Sequence, residues 1–288
     1  MKPLKALAPE MAKNIAFILC DLDDTLTLDG RLPAASYAGL ERLSQDGKKV
    51  VVVTGRPAGW CDMMARFWPV DGVVGENGAF YFRYVRDENR FVRRFLFDDA
   101  ERARDRAKLA GFFAELRKTY PQLQLASDQD FRISDIAIDI CEDVEPLSKD
   151  IVRDIVVRLE ALGATVKVSS IHVNAWIGAF DKLSMLTRFL KDEFGVSEDA
   201  AKESVLYVGD SPNDEPMFAH FTHTVGVRNI ENFASEMTHL PQYVTRAEGG
   251  HGFLEIAQLL TQTPVAASSA LATAKRERNR RSFLPRRR

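Results

Sequence analysis

The chain has 288 residues, 45% hydrophobic and 28% charged, the composition of a soluble globular protein with room for one large domain or two moderate ones. Its net charge of −2 is unevenly spread: the last fourteen residues, KRERNRRSFLPRRR, carry +7 and leave −9 on the rest, which is not the profile of a dedicated nucleic-acid binder. No apolar stretch approaches the roughly 20 residues of a membrane helix, and the N-terminus lacks an apolar secretory core. Three scattered cysteines without zinc-like spacing fit reduced thiols. We therefore expect a cytoplasmic protein, monomer or homodimer, with no membrane and no specific nucleic-acid partner.

In chain order, residues 15–19 read as a buried strand that runs into three carboxylates, Asp21, Asp23 and Asp24, within the segment DLDDT. Residues 36–43 read as an amphipathic helix stopping at Asp46-Gly47, and residues 50–53 as a second buried strand ending at Thr54-Gly55-Arg56. Met63, Met64, Phe67 and Trp68 read as core packing, and Glu76-Asn77-Gly78 as a turn. From about residue 80 to 173 the pattern changes. Alternating, half-exposed strands (AFYFRYV, RFVRRFLF, RISDIAIDI, TVKVSSIHV) are separated by helical stretches over 99–120 and 145–162. Arg83, Arg86, Arg90, Arg93 and Arg94 read mostly as a solvated face. The βα pattern then resumes: a helix over 181–194, a strand over 205–208 that ends in GDSPND, a strand over 224–227, and a last helix over 252–260 opened by a turn at 249–252.

Strands apolar on both faces, alternating with helices, predict an α/β fold with a Rossmann-like parallel sheet. The middle segment predicts an α+β domain inserted into it. The expected division is a discontinuous core over 1–80 and 177–262, an insert over 81–176, and a linker with a solvated basic tail over 263–288.

In a parallel α/β sheet, ligands bind at the carboxyl ends of the strands. Four polar clusters fall at such positions and converge on one rim: DLDDT, TGR, Asp181-Lys182 and GDSPND. Asp21, Asp210 and Asp214 form an oxygen-rich set whose repulsion a hard divalent cation, Mg²⁺, relieves. A carboxylate neutralised in this way can approach a phosphoryl group. Asp21 could attack phosphorus, and Asp23 could protonate the leaving oxygen and later deprotonate water. Thr54, through hydroxyl and backbone N–H, and Lys182 would hold phosphoryl oxygens. Gly55, Arg56 and Asn77 are candidate substrate contacts. So are His172 and Asn174, which share one face of an alternating strand. Asp24 reads as a cap or surface carboxylate that this chemistry does not require.

These four motifs, in this order, resemble the haloacid dehalogenase superfamily of phosphohydrolases over residues 14–260. The resemblance implies Asp21 as nucleophile, Asp23 as acid/base, and Mg²⁺ held by Asp21, the Asp23 backbone carbonyl and Asp210. The position of the insert, between Thr54 and Lys182, and the ENGA loop are similar to subclass IIB, which includes Cof-type, sucrose-phosphatase-like and mannosyl-3-phosphoglycerate-phosphatase-like enzymes. The insert is then a cap over the substrate. DLDDT stands where Cof-type enzymes have DxDGT, and Lys182-Leu183 where they have Lys-Gly. The implied activity is Mg²⁺-dependent hydrolysis of a small phosphorylated metabolite, a sugar phosphate by preference, through an aspartyl-phosphate. Two other readings stay open: a sugar phosphomutase, and a receiver-like signalling module, against which the DxDxT spacing and the long insert both count.

Overall fold

The computed structural model describes residues 1–169 and 171–261. The expected linker and basic tail over 263–288 lie outside the described residues. The chain begins with β1 (Lys2–Pro3), α1 (Pro9–Asn14), β2 (Phe17–Cys20), α2 (Ala34–Gln45), β3 (Lys49–Val53), α3 (Ala58–Phe67) and β4 (Gly72–Gly75). A hairpin, β5 (Phe80–Val85) and β6 (Arg90–Phe95), follows, and then α4 (Asp99–Thr119), β7 (Gln124–Leu125), β8 (Asp135–Asp139) and α5 (Lys149–Ala161). The remaining elements are β9 (Ala164–Val168), β10 (His172–Ile177), α6 (Lys182–Phe194), α7 (Glu198–Ser204), β11 (Val205–Gly209), α8 (Glu215–His220), β12 (His223–Gly226), β13 (Tyr243–Val244) and α9 (Gly249–Leu260).

Nine strands form one sheet in the order β1-β13-β12-β11-β2-β3-β4-β5-β6, parallel from β1 to β4 and antiparallel only at the β5–β6 edge. Its central strands are covered on both sides. Ile18, Val50, Val52 and Leu206 face a cluster with α2 and α9, whereas Leu19, Val51, Val53 and Tyr207 face a cluster with α6. This two-sided burial is why the strands read as unbroken apolar runs. Each fully buried Ile, Leu or Val contributes about 1.5–3 kcal/mol, enough together to fix the register on which the strand ends depend.

The second sheet, β7-β8-β10-β9, is antiparallel throughout. One face packs Ile136, Ile138, Val173 and Ala175 against Leu109, Phe113, Ile155 and Leu159 of α4 and α5. The opposite face carries His172, Asn174 and Trp176 on β10 and Thr165 and Lys167 on β9, all of which line a cavity above the core. α4 opens with a capping box between Asp98 and Glu101, and α6 with one between Asp181 and Ser184.

Two expectations are corrected. The β5–β6 hairpin, read as part of the insert over 81–176, is hydrogen-bonded to β4 and extends the core sheet. Its Phe80 and Phe82 are core residues and stack on each other, a tertiary contact that strand alternation alone cannot assign to a sheet. Among the four residues read as core packing, Met64 is buried, but Phe67 is 72% exposed and Met63 39% exposed, because the covered face of α3 is that of Cys61, Met64 and Ala65. Of the arginines read as mostly a solvated face, Arg86, Arg90, Arg93 and Arg94 are exposed, and Arg83 is the partly buried exception, pairing with Glu193 at 2.8 Å. No helix among the described residues is long and apolar enough to cross a membrane.

Candidate active site

The chain leaves β2 toward β3 and β4 on one side and returns through β11 on the other, so β2 and β11 flank the topological switch point. Cys20 pairs with Val208 in register, and the Asp21 N–H donates to Val208 O at 3.0 Å. Asp21 and Asp210 are thereby delivered side by side, just beyond two adjacent strand ends. Together with Asp214 they offer carboxylate oxygens lying within 4.8 Å of one another, all three buried.

Each member is held differently. Lys182, the first residue of α6, places Nζ 2.6 Å from Asp21 Oδ1 and 4.0 Å from Asp214 Oδ1. Asp210 Oδ1 accepts the Thr25 hydroxyl at 2.9 Å, and Asn229 Nδ2 lies 3.4 Å from Oδ2. Asp214 is the most heavily bonded: Oδ2 accepts the N–H groups of Asp210 and Ser211, and Oδ1 accepts Tyr207 OH at 2.6 Å. Gly209 is required here, since a Cβ at that position would meet Asp214 Oδ2 at 2.3 Å.

Burial is the largest influence on Asp21; Lys182 pulls its carboxyl down, Asp214 and Asp23 push it up, and the outcome is about 7. Burial, then Asp214 and Asp21, push Asp210 well above the usual carboxylate range. Burial opposes the charge on Lys182, but Asp21 and Asp214 outweigh it and raise its pKa. Three buried carboxylates around one ammonium leave an excess of negative charge built only from hard oxygen donors. This donor set fits a divalent cation of the Mg²⁺ type.

The motif after β3 is arranged differently from the sequence expectation. Thr54 is fully buried, its N–H donates to Val74 O at 2.9 Å and its Oγ1 accepts the Arg56 N–H at 3.0 Å. The backbone N–H expected to hold a phosphoryl oxygen therefore continues the β3–β4 ladder, because Thr54 still lies within the sheet register. Gly55, Arg56 and Asn77 line the cavity, which measures about 980 Å³ and is bounded by Asp21, Asp23, Lys182 and Asp210 below and His172 and Asn174 above. Asn77 reaches this position through a left-handed backbone (φ 56°), and the following Gly78 (φ 105°) lets the loop touch the Asp181–Lys182 backbone, where a Cβ would lie 2.0 Å from Asp181 O. Asp24, also left-handed at φ 55°, is half-buried and lines the cavity.

Several site residues escape the sequence reading. Thr25 and Asn229 brace Asp210, and Asn229 also donates to Asp24 O at 2.8 Å and accepts the Gly249 N–H. Asn229 was findable, since it follows the end of β12 and parallel strand ends are where ligands bind. The contacts between core and insert carried no such signal. Arg56 grips Asp23 with Nε and Nη2 at 2.9–3.2 Å and reaches Glu142 with Nη1 at 3.1 Å. Arg132, almost fully buried, bonds Asp135, Asp128 and the carbonyl of Gly55. Glu76, fully buried, accepts the N–H groups of Ala58, Ile133, Ser134 and Asp135.

A parallel sheet with an acidic cluster at its switch point, covered by an inserted antiparallel sheet, defines the class. Residues 18–120 match the family model of the haloacid dehalogenase-like hydrolases. Solved structures share the fold. A protein from Thermoplasma acidophilum superposes with a TM-score of 0.65 at 17% identity, over 85% of this chain and 98% of its own. A haloacid dehalogenase-like hydrolase from Bacteroides thetaiotaomicron gives 0.61 at 16% identity, over 85% and 98%. The sucrose-phosphatase of Synechocystis sp., solved with sucrose and phosphate, gives 0.58 at 16% identity, over 87% and 100%. No curated protein matches the sequence.

Proposed function

We propose that the chain is a Mg²⁺-dependent phosphatase of small phosphate monoesters, sugar phosphates by preference, in which the insert over about residues 98–177 acts as the cap. The observation that carries this reading is Asp21: buried, at the end of the central strand, 2.6 Å from Lys182 Nζ, and opening onto the cavity beneath the polar face of β9 and β10. Asp21 attacks phosphorus as the bond to the leaving oxygen breaks, giving an aspartyl-phosphate. Asp23, two residues on and at the cavity wall, gives its proton to the leaving oxygen. It then takes one from the water that attacks the aspartyl-phosphate, so that Asp21 is regenerated and inorganic phosphate leaves.

Lys182 offsets the charge of the phosphoryl oxygens. Asp21 and Asp210, with the Asp23 carbonyl, would hold the cation, which lowers the repulsion met by an incoming phosphate. Asp214, whose oxygens already accept three hydrogen bonds, fits better as the brace of the Asp210 loop than as a direct ligand. Among the described residues, the buried side-chain nitrogens Asn77 Nδ2 and Trp176 Nε1 have no hydrogen-bond acceptor, and both residues line the cavity. With His172 and Asn174 they support an oxygen-rich substrate such as a phosphorylated sugar. The neighbour that carries sucrose and phosphate is consistent with this substrate class.

Replacing Asp21 by Asn is expected to abolish phosphate release from p-nitrophenyl phosphate in a protein that remains folded. Retained turnover would sink the nucleophile. A panel of phosphorylated metabolites, assayed with and without Mg²⁺, tests the substrate class, and isomerisation of a hexose phosphate without release of phosphate would favour a mutase.

A further inference from the structure

Arg56 is a planar plate between the two domains, lying over the Trp60 ring with its guanidinium carbon 4.8 Å from the centroid. One edge is spent on both oxygens of Asp23; Nη1, on the other side, meets Glu142 Oε1 at 3.1 Å, with Asp128 Oδ2 at 3.7 Å. Glu142 is itself fixed from two directions. Its Oε2 lies 2.8 Å from His172 Nε2. The turn that carries it is tied down by Asp139, whose carboxylate accepts the N–H groups of Cys141, Glu142 and Asp143. Glu142 is not among the residues that line the cavity; it touches Arg56 and His172, which are.

We propose that Glu142 is a positioning residue: by holding Nη1 of Arg56 it sets the orientation in which Arg56 presents Asp23 to the leaving oxygen, and it does so only when the cap is seated. The physical reason is the rigidity of the fork. A guanidinium cannot rotate one pair of N–H groups without moving the other, so a contact made on the cap side fixes the angle on the Asp23 side. Cap seating and acid/base alignment thereby become one event. This inference rests on the phosphatase reading, and specifically on Asp23 acting as the acid.

The test compares p-nitrophenyl phosphate with phenyl phosphate. The two esters have nearly the same shape, but phenolate is much the poorer leaving group and depends more on proton donation. Glu142→Ala is expected to lower kcat on phenyl phosphate at least tenfold more than on p-nitrophenyl phosphate. Glu142→Gln, which keeps an acceptor oxygen for Nη1, is expected to recover most of that difference, and Asp23→Asn to show the same leaving-group signature more strongly. Melting temperatures of all variants serve as the folding control. Parallel losses on both esters, a change confined to KM, or no change at all in Glu142→Ala would overturn the inference while the phosphatase reading stands. If the wild type releases phosphate from neither ester, or Asp21→Asn keeps its rate, both fall together.

Discussion

The strand-end cluster of the core and the domain interface above it use the same residue types for opposite ends. In the core, Asp21, Asp210 and Asp214 lie around Lys182, which is within 4 Å of Asp21 and Asp214, while Asp210 has no cation that close among the described residues. At the interface, Arg56 and Arg132 serve Asp23, Asp128, Asp135 and Glu142, and each of the four carboxylates lies within 4 Å of a guanidinium nitrogen. Both groups hold two more negative than positive charges, so the difference is one of pairing. A buried carboxylate without a cation costs stability unless another charge completes it, which suits a site for a cation and a phosphoryl group. Carboxylates each gripped by a guanidinium hold two domains in one orientation.

That contrast can be broken, and the largest effect is expected at the interface. Arg132→Met removes one partner from a buried network and leaves Asp135, at 0% exposure, uncompensated; a loss of about 3–5 kcal/mol in unfolding free energy is expected. An unchanged denaturation midpoint would show that the interface charges are not structural. Lys182→Ala is the core counterpart. It should cut kcat/KM by about 10²–10³-fold, the usual cost of losing one donor that stabilises transition-state charge. A variant with normal kinetics but lowered stability would reverse the assignment of roles.

A smaller effect is expected at Glu76. Both of its oxygens accept backbone N–H groups, so the amide nitrogen of Glu76→Gln must face a donor, which costs about 1–3 kcal/mol; equal urea midpoints for variant and wild type would refute this. The smallest effect concerns pH. His172 first, and Arg56 with it, hold the Glu142 carboxyl down at about 2 against an ordinary 4.5. A depressed acid contributes stability that is complete above about 4.5 and lost as pH falls toward 2. The difference in melting temperature between wild type and Glu142→Gln should therefore be visible at neutral pH and shrink at pH 3. A difference that grew on acidification would contradict the contact.

How far a residue could be read from sequence follows from how its neighbours are fixed. Asp21 and Asp210 were legible because each ends an apolar run, and parallel strands deliver consecutive chain ends to one rim. Lys182 was legible because Asp181-Lys182 opens a helical stretch, which the capping box of Asp181 and Ser184 starts in the structure. His172 and Asn174 were legible as a pair on one face, but the sequence left open whether that face met solvent or the site. Glu142 lies in a loop whose spacing carries no periodic signal, and Arg132 opens the alternating stretch RISDIAIDI, whose period does not say what Arg132 meets; their partners are 86 and 77 residues away at Arg56 and Gly55.

By itself, then, the sequence determined the α/β core, its inserted α+β segment, and the acidic cluster beside Lys182, because local hydrophobic period and strand-end position are properties of short stretches of chain. Tertiary structure alone decided that the β5–β6 hairpin belongs to the core sheet and that the Thr54 N–H is consumed by β4. It alone decided, too, that Asp23 is held in the grip of Arg56. Those facts depend on which surfaces meet after folding, and the energies that choose between them come from contacts between residues far apart in the chain.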